Sequence, residues 1–293
     1  MTATLIKSGG TFADAPFGRL TRDPVLDGAG DGALFGFDAA FDWSFPYDST
    51  PANAAPVLDL AENADGGFYR PVGQAGIIAL NGGGIDLYNL TEDGCEVRGP
   101  AGCLTSLEDE QEYLILGWAK MPTSGNWNTG AVISPIFTCS GGNGYNASAD
   151  LLTISQSNVP RFSSSRQISV GSQQSPNLGH TNLTPFYERI TQWAFWRTAD
   201  ECGLRMKSSL GEELITGDAG ALNSGSLSAL MPRWGVPEAW NQHVTGDSST
   251  AHRAAGHRLY RGYIENLHVS GRDPVEVLDM DWDFIARLGS RYS

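Results

Sequence analysis

Residues 258–274, RLYRGYIENLHVSGRDP, constrain the fold more than any other stretch of this chain. Leu259, Tyr260, Tyr263, Ile264, Leu267 and Val269 are aromatic, β-branched or large apolar residues, the composition of a strand. Ser270 and Gly271 interrupt that pattern. Asp273, Pro274 and Glu276 then supply the N-cap, first position and third position of a helix. Val275, Leu278, Trp282, Ile285 and Leu288 come next at spacings of three and four, which gives one apolar stripe, and Gly289 stops it. The reading is a closing strand over 259–269 that feeds a terminal helix over 273–289. No other segment reads as a convincing helix.

The rest of the chain alternates short strands with turns. Gly makes up 36 of 293 residues, well above the usual share of about 7%, and such a chain suits many strands and tight turns. Residues 113–121 are apolar on both faces, with Tyr113, Ile115 and Ala119 on one side and Leu114, Leu116 and Trp118 on the other. That pattern predicts a central strand covered on both sides, and 190–197 (ITQWAFWR) reads the same way. Leu204 and Met206 alternate with Arg205 and Lys207 as in a half-exposed strand, with 200–203 as the turn before it. Further strands are expected over 4–7, 56–60, 77–80, 85–88, 131–138, 151–155 and 166–170.

Residues 1–50 differ from the remainder of the chain. They carry Gly- and Asp-rich turns and then the aromatic cluster Phe35, Phe37, Phe41, Trp43, Phe45 and Tyr47. The segment is too apolar to be simply disordered, yet it has no regular period. It reads either as an arm whose aromatics pack on the main domain or a neighbour, or as extra edge strands of the same sandwich. Residues 51–293 read as one domain.

Charge narrows the partners. A net charge of −14, with 19 basic residues in no run, argues against nucleic acid, because phosphate binding needs concentrated Lys and Arg. The apolar runs near 114–119 and 193–196 are too short to cross a bilayer, and the first residues do not read as a signal peptide. A product made in a cytoplasm is the expectation. Of the four cysteines, Cys95 and Cys103 bracket a short Gly-Pro segment while Cys139 and Cys202 stand alone. Without a C-x-x-C pair, neither a zinc site nor a redox pair is expected, and reduced thiols are.

Four groups of residues are candidates for chemistry. Glu108, Glu110 and Glu112 alternate as a glycosidase carboxylate set would, but Asp109 and Gln111 between them make both faces polar, as in a solvated loop. His243, His252 and His257 have spacings that match no compact metal motif. Asp279, Asp281 and Asp283 lie at alternate positions of a helix and do not converge, so they read as a solvated face. Trp127, Trp234 and Trp240 sit among turn-forming residues, Trp240 beside Asn241 and His243, as aromatic and amide surfaces for recognition do. Taken singly, each suits the capping of a sandwich core rather better.

The order of these pieces resembles the concanavalin A-like lectin/glucanase superfamily, its laminin-G-like branch in particular. A Gly-rich strand over 83–87 precedes the Trp strand YLILGWAKM. A second Trp strand, RITQWAFWRT, leads through a turn to GLRMKS and a hairpin at Leu210 and Gly211. LSALMPRWG and then RGYIENLHVSGRDP complete the pattern, which covers roughly residues 55–290. The hairpin departs from the usual Asn-Gly, and residues 236–257 form a long insertion. The resemblance implies an all-β, antiparallel jelly-roll β-sandwich with an N-terminal arm and a short C-terminal helix.

Elimination and fold analogy together give the functional expectation: a non-enzymatic bacteriophage virion protein, made in the host cytoplasm, as a capsid decoration, fibre or collar part. The alternative is a glycan-active enzyme or carbohydrate-binding lectin of the same fold. Expected partners are further copies of the chain, other virion proteins and a host-surface glycan, without nucleic acid, membrane insertion, metal or cofactor. Trp127, Trp234, Trp240, Asn241 and His243 are the expected binding residues. Phe35, Phe37, Phe41, Trp43, Phe45 and Tyr47 are the expected assembly arm.

Overall fold

A computed structural model of the protein describes residues 23–69, 79–87, 95–125, 127, 133–140, 149–157, 160–174, 177–236, 257–289 and 291–293. The fold is an antiparallel jelly-roll β-sandwich of two eight-stranded sheets with a C-terminal helix. The first sheet runs Gly211–Asp218, Glu201–Ser208, Ile190–Arg197, Tyr113–Lys120 and Arg258–Asn266. Beyond Arg258–Asn266, the closing strand, its other edge is shared by Ala33–Asp38 and by Gly84–Asp86, which pairs in turn with Ala79–Asn81. The second sheet runs Gly179–His180, Arg161–Ser165, Asp150–Ser157, Ile133–Ser140, Met231–Val236, Cys95–Arg98, Gly66–Tyr69 and Ala55–Val57.

Tyr113–Lys120 is the middle of the molecule, paired on one side with Ile190–Arg197 and on the other with the closing strand. Tyr113, Ile115 and Ala119 face the second sheet and join its aromatic core, whereas Leu114, Leu116 and Trp118 face a second core beneath the terminal helix. Small residues make room for large rings across these strands. Gly117 pairs with Trp193, and Gly203 with Trp196; a Cβ at either glycine would overlap the indole opposite. Gly262 makes the same room for Phe37 and Trp234. Several of the chain's glycines therefore hold tryptophans flat against a sheet instead of making turns.

Three expectations about local structure change. The closing strand ends at Asn266, not at Val269, because the Asn266 side chain accepts the Val269 N–H and caps a one-turn helix, Leu267–Ser270. Asp273 does cap the terminal helix, Pro274–Arg287, accepting the amides of Val275 and Glu276. The buried face of that helix is rotated from the expected stripe. Val277, Leu278, Asp281, Phe284 and Ile285 are buried, while Val275, Trp282 and Leu288 are only partly covered. Asp200 lies in the turn, and the strand begins at Glu201.

Asp281 corrects the solvated-face reading outright, since it is fully buried. Its Oδ2 accepts the indole N–H of Trp118 at 2.6 Å and the Gln192 amide at 2.8 Å. Its Oδ1 stands 3.2 Å from Nε of Arg261, itself 2% exposed. Arg261 also meets Asp23 at 2.6 Å and Asp38 at 3.8 Å. Helical periodicity is blind to a floor that carries its own cation, and here the sheet supplies one under the helix.

The aromatic cluster of residues 35–47 divides between core and surface. Ala33–Asp38 is a strand paired with the closing strand, Phe35 opposite Ile264 and Phe37 opposite Gly262. Phe35, Phe37 and Phe45 are buried in the main core, so they are not the surface of an arm. The expected strand over 4–7 lies outside the described residues. Cys95–Arg98, Gly66–Tyr69 and Arg161–Ser165 are strands that the pattern did not announce, each too short or too polar to show a period. None of the four cysteines forms a disulfide, and no helix among the described residues is long and apolar enough to cross a membrane.

Candidate functional site

Of the expected binding residues, the two that are described, Trp234 and Trp127, are both buried. Trp234 is fully buried, its ring 5.8, 5.5 and 5.0 Å from those of Phe35, Phe37 and Phe137, and its N–H donates to the Leu116 carbonyl at 3.0 Å. A tryptophan on an inward-facing strand position cannot serve a ligand, whatever turn residues surround it. Trp127 is 4% exposed and packs edge-on against Tyr187 at 5.7 Å. Trp240, Asn241 and His243 lie outside the described residues, as does His252. His257 is fully buried, and burial pushes its pKa down to about 4, so its imidazole stays neutral.

The carboxylate run is not a strand. Glu108 follows a 3₁₀ turn, and its Oε1 accepts the amides of Leu227 and Ser228 and the hydroxyl of Ser226 at 2.9–3.0 Å. Those bonds, the Ser226 hydroxyl first, lower its pKa. Gln111 sits at φ 49°, its side chain buried and paired with the backbone of Asn223 in both directions. Glu110 and Glu112 meet His268 at the surface, with ligand atoms within 4.8 Å of one another and His268 Nδ1 3.2 Å from Glu112 Oε1. A single imidazole–carboxylate hydrogen bond accounts for that contact.

What the fold does present is the loop after Ala33–Asp38. Asp38 turns the chain by accepting the Ala40 amide on its side chain and the Phe41 amide on its carbonyl. Phe41 O takes the amides of Ser44 and Phe45, and the Ser44 hydroxyl donates to the Leu58 carbonyl. Ser44 and Phe45 are buried and anchor the loop, whereas Phe41 and Trp43 stand 44% and 46% exposed. Their ring centroids are 6.4 Å apart with a tilt of 36°. The Arg291 guanidinium lies 5.3 Å from the Phe41 ring while one of its nitrogens meets Asp38 at 3.1 Å.

Beside these rings lies an open groove of about 390 Å³, lined by Asp42, Tyr47, Asn81, Arg291 and the Gly82–Gly83 turn among others. Gly82 and Gly83 have φ of 54° and 75°, a conformation that suits glycine. Tyr47 is fixed by its hydroxyl donating to Pro56 O at 2.7 Å. Asp42 and Asn81 are exposed. The arrangement offers two flat apolar faces and a carboxylate on a short, internally hydrogen-bonded loop, with the Asn81 amide and the Arg291 guanidinium from other segments lining the groove beside it. Apolar ring faces flanked by a few polar groups bind ligands that are flat on one side and hydroxylated at the edge.

Sequence reasoning named Phe41, Trp43 and Tyr47 but grouped them with Phe35 and Phe37. The signal that separates them is present: Asp38, Ala39 and Ala40 end the strand, and Asp42, Ser44 and Pro46 break the aromatic run into a loop.

No protein-family model matches the chain, and no curated protein is similar to it. Among solved structures, the binding domain of botulinum neurotoxin serotype C1 is 9% identical over 86% of this chain and 53% of that one, with a TM-score of 0.48. The CBM40 of the Ruminococcus gnavus IT-sialidase, bound to α2,3-sialyllactose, is 12% identical over 60% and 90%, with a TM-score of 0.38. The exoplasmic/lumenal domain of VIP36, in a Ca²⁺/Man3GlcNAc-bound form, is 11% identical over 64% and 80%, with a TM-score of 0.37. The chain thus matches about half the length of the neurotoxin binding domain. Likeness at these levels assigns neither function nor site to this chain.

Proposed function

We propose that this chain is a non-catalytic carbohydrate-binding module, which takes a sugar ring on the Phe41–Trp43 surface. The observation that carries the reading is the exposed aromatic pair on a hydrogen-bonded loop, beside a groove with Asp42 and Asn81. The C–H face of a pyranose stacks on such rings, and its hydroxyls bond the carboxylate and the amide. The non-catalytic half of the proposal is supported by Glu108, whose carboxylate caps the backbone of residues 227 and 228.

A second reading rests on the same pair. Two large exposed rings also suit a neighbouring protein subunit, and a bacteriophage particle is the setting we propose for that use. The experiment compares wild type with Phe41→Ala/Trp43→Ala by affinity electrophoresis against a panel of polysaccharides, and by sedimentation. Retention by at least one polysaccharide, lost in the variant, supports the module. No retention by any polysaccharide, with a change of sedimentation coefficient in the variant, replaces it with the assembly surface.

A further inference from the structure

A second concave surface lies across the outer face of the first sheet, between the terminal helix and the turn at residues 186–190. It encloses about 440 Å³, within the usual range for small-ligand sites. Trp118, Trp282 and Tyr292 wall it, and Lys120, Glu188 and Arg189 are among the residues at its rim. The Trp282 ring is half-buried and stacks on Trp118 at 5.2 Å and 18°. Trp118 and Tyr292 direct their polar ends away, the indole N–H to Asp281 at 2.6 Å and the hydroxyl to Asp38 at 2.9 Å. Trp118 and Tyr292 therefore turn only ring surface to the groove, already fixed in place.

The rim is equally well held. Met121 N donates to Arg189 O, Glu188 N to Pro122 O and Arg189 N to Phe186 O, at 3.0–3.1 Å. Glu188 has φ 56°, a conformation a non-glycine residue adopts only where its surroundings impose it. Neither Lys120 nor Arg189 has an ion-pair partner among the described residues. In a chain with 33 acidic and 19 basic residues, two cations without an ion-pair partner among the described residues, set beside one aromatic wall, suit an anion. The two other cations nearby are engaged. Lys207, 5.2 Å from the Trp282 ring, pairs with Asp279 and Glu212, and Arg258 pairs with Asp86.

We propose that this groove is a separate binding site for a saturated ring that carries a carboxylate, an acidic sugar. The ring lies against Trp282, and Lys120 and Arg189 take the carboxylate. Glu188 accepts from ring hydroxyls and opposes any ligand with a second negative charge. The proposal rests on different residues from the Phe41–Trp43 surface and does not depend on that reading.

The test is saturation-transfer NMR on the full chain with glucuronate, glucose and benzoate as probes, at low ionic strength and again with added salt. Glucuronate should bind, and glucose should bind at least about tenfold more weakly, one decade being one lost charge contact of ordinary strength. Lys120→Gln/Arg189→Gln should reduce glucuronate affinity by about tenfold or more and remove its salt dependence. Each measurement is repeated in a Phe41→Ala/Trp43→Ala background, so that sugar taken by that surface is not counted as binding in this groove. If the double variant does not fold, Arg189→Gln alone, in an exposed turn, carries the same test. Equal binding of glucose and glucuronate, benzoate binding in place of glucuronate, unchanged affinity in the charge variant, or no transfer to any probe would each overturn the proposal.

Discussion

Trp234 and Trp43 show how one residue type serves opposite ends. Trp234 stands in Met231–Val236, inside the sandwich, with three phenylalanine rings against it and its N–H bonded to Leu116 O. Trp43 stands 46% exposed on a loop whose anchors are its neighbours Ser44 and Phe45. Two aspartates repeat the contrast. Asp281 is buried, its Oδ2 taking hydrogen bonds from Trp118 and Gln192 and its Oδ1 facing the Arg261 guanidinium as an ion pair, whereas Asp42 is left to solvent beside its aromatic pair. Where aromatic and carboxylate groups answer one another they hold the fold. Where they stand side by side unanswered they are available to a ligand.

The comparison breaks most visibly if the two tryptophans are truncated. Trp234→Ala should cost about 3–5 kcal/mol, the usual range for emptying a large aromatic site, because Phe35, Phe37 and Phe137 cannot all collapse inward. Equilibrium urea unfolding measures it. A loss below about 1 kcal/mol would mean that this ring is not the centre of the core. Asp281→Asn ranks next, at about 1.5–3 kcal/mol, the worth of hydrogen bonds to a charged acceptor. It keeps the shape but withdraws the charge facing Arg261.

How much of this was legible depended on whether the deciding partner was close in sequence. Strand Ile190–Arg197 and the cap at Asp273 were readable because a period or a dipeptide announced them. The two faces of Tyr113–Lys120 were assigned from alternation alone, and both are covered. Trp234 was misread because its setting, PRWGVP, holds turn formers, while what decides its burial is Phe35, Phe37 and Phe137 from distant segments. Asp281 was misread for the same reason, since Arg261 belongs to a different element. Short polar strands such as Arg161–Ser165 have no apolar alternation to detect; cross-strand pairing alone defines them. The groove under Trp282 needed the helix rotation, which the stripe of five apolar residues placed wrongly.

A pH experiment sharpens the distinction between buried and exposed carboxylates. Asp150 is fully buried, and burial raises its pKa to about 7 against the opposing hydrogen bond from Thr153. The folded chain then holds a proton that the unfolded chain releases near the ordinary aspartate value, about 3.9. This stabilisation is complete below that value and is lost as pH rises towards about 7. His257 acts with the opposite sign. Its pKa is lowered to about 4, so protonation of the unfolded chain below about 6.5 favours unfolding as pH falls. Asp150→Asn should therefore steepen the net rise of stability with pH over this window, read by urea unfolding at a series of pH values. An unchanged slope would mean that Asp150 is ionised in the fold.

The smallest effect on stability is expected where the largest effect on binding is proposed. Trp43→Ala removes a ring that is 46% exposed and has its centroid 6.4 Å from that of Phe41, while the loop keeps the bonds of Asp38, Phe41 and Ser44 that shape it. Surface substitutions away from such anchors stay within about 0.5 kcal/mol. The same side-chain truncation should thus differ by several kcal/mol, about 3–5 at residue 234 against about 0.5 or less at residue 43. Parallel urea curves measure both. A Trp43→Ala chain that loses more than about 1 kcal/mol would place the ring in the fold's own packing, and the exposed pair would then have to be explained as structure before it is assigned to a sugar.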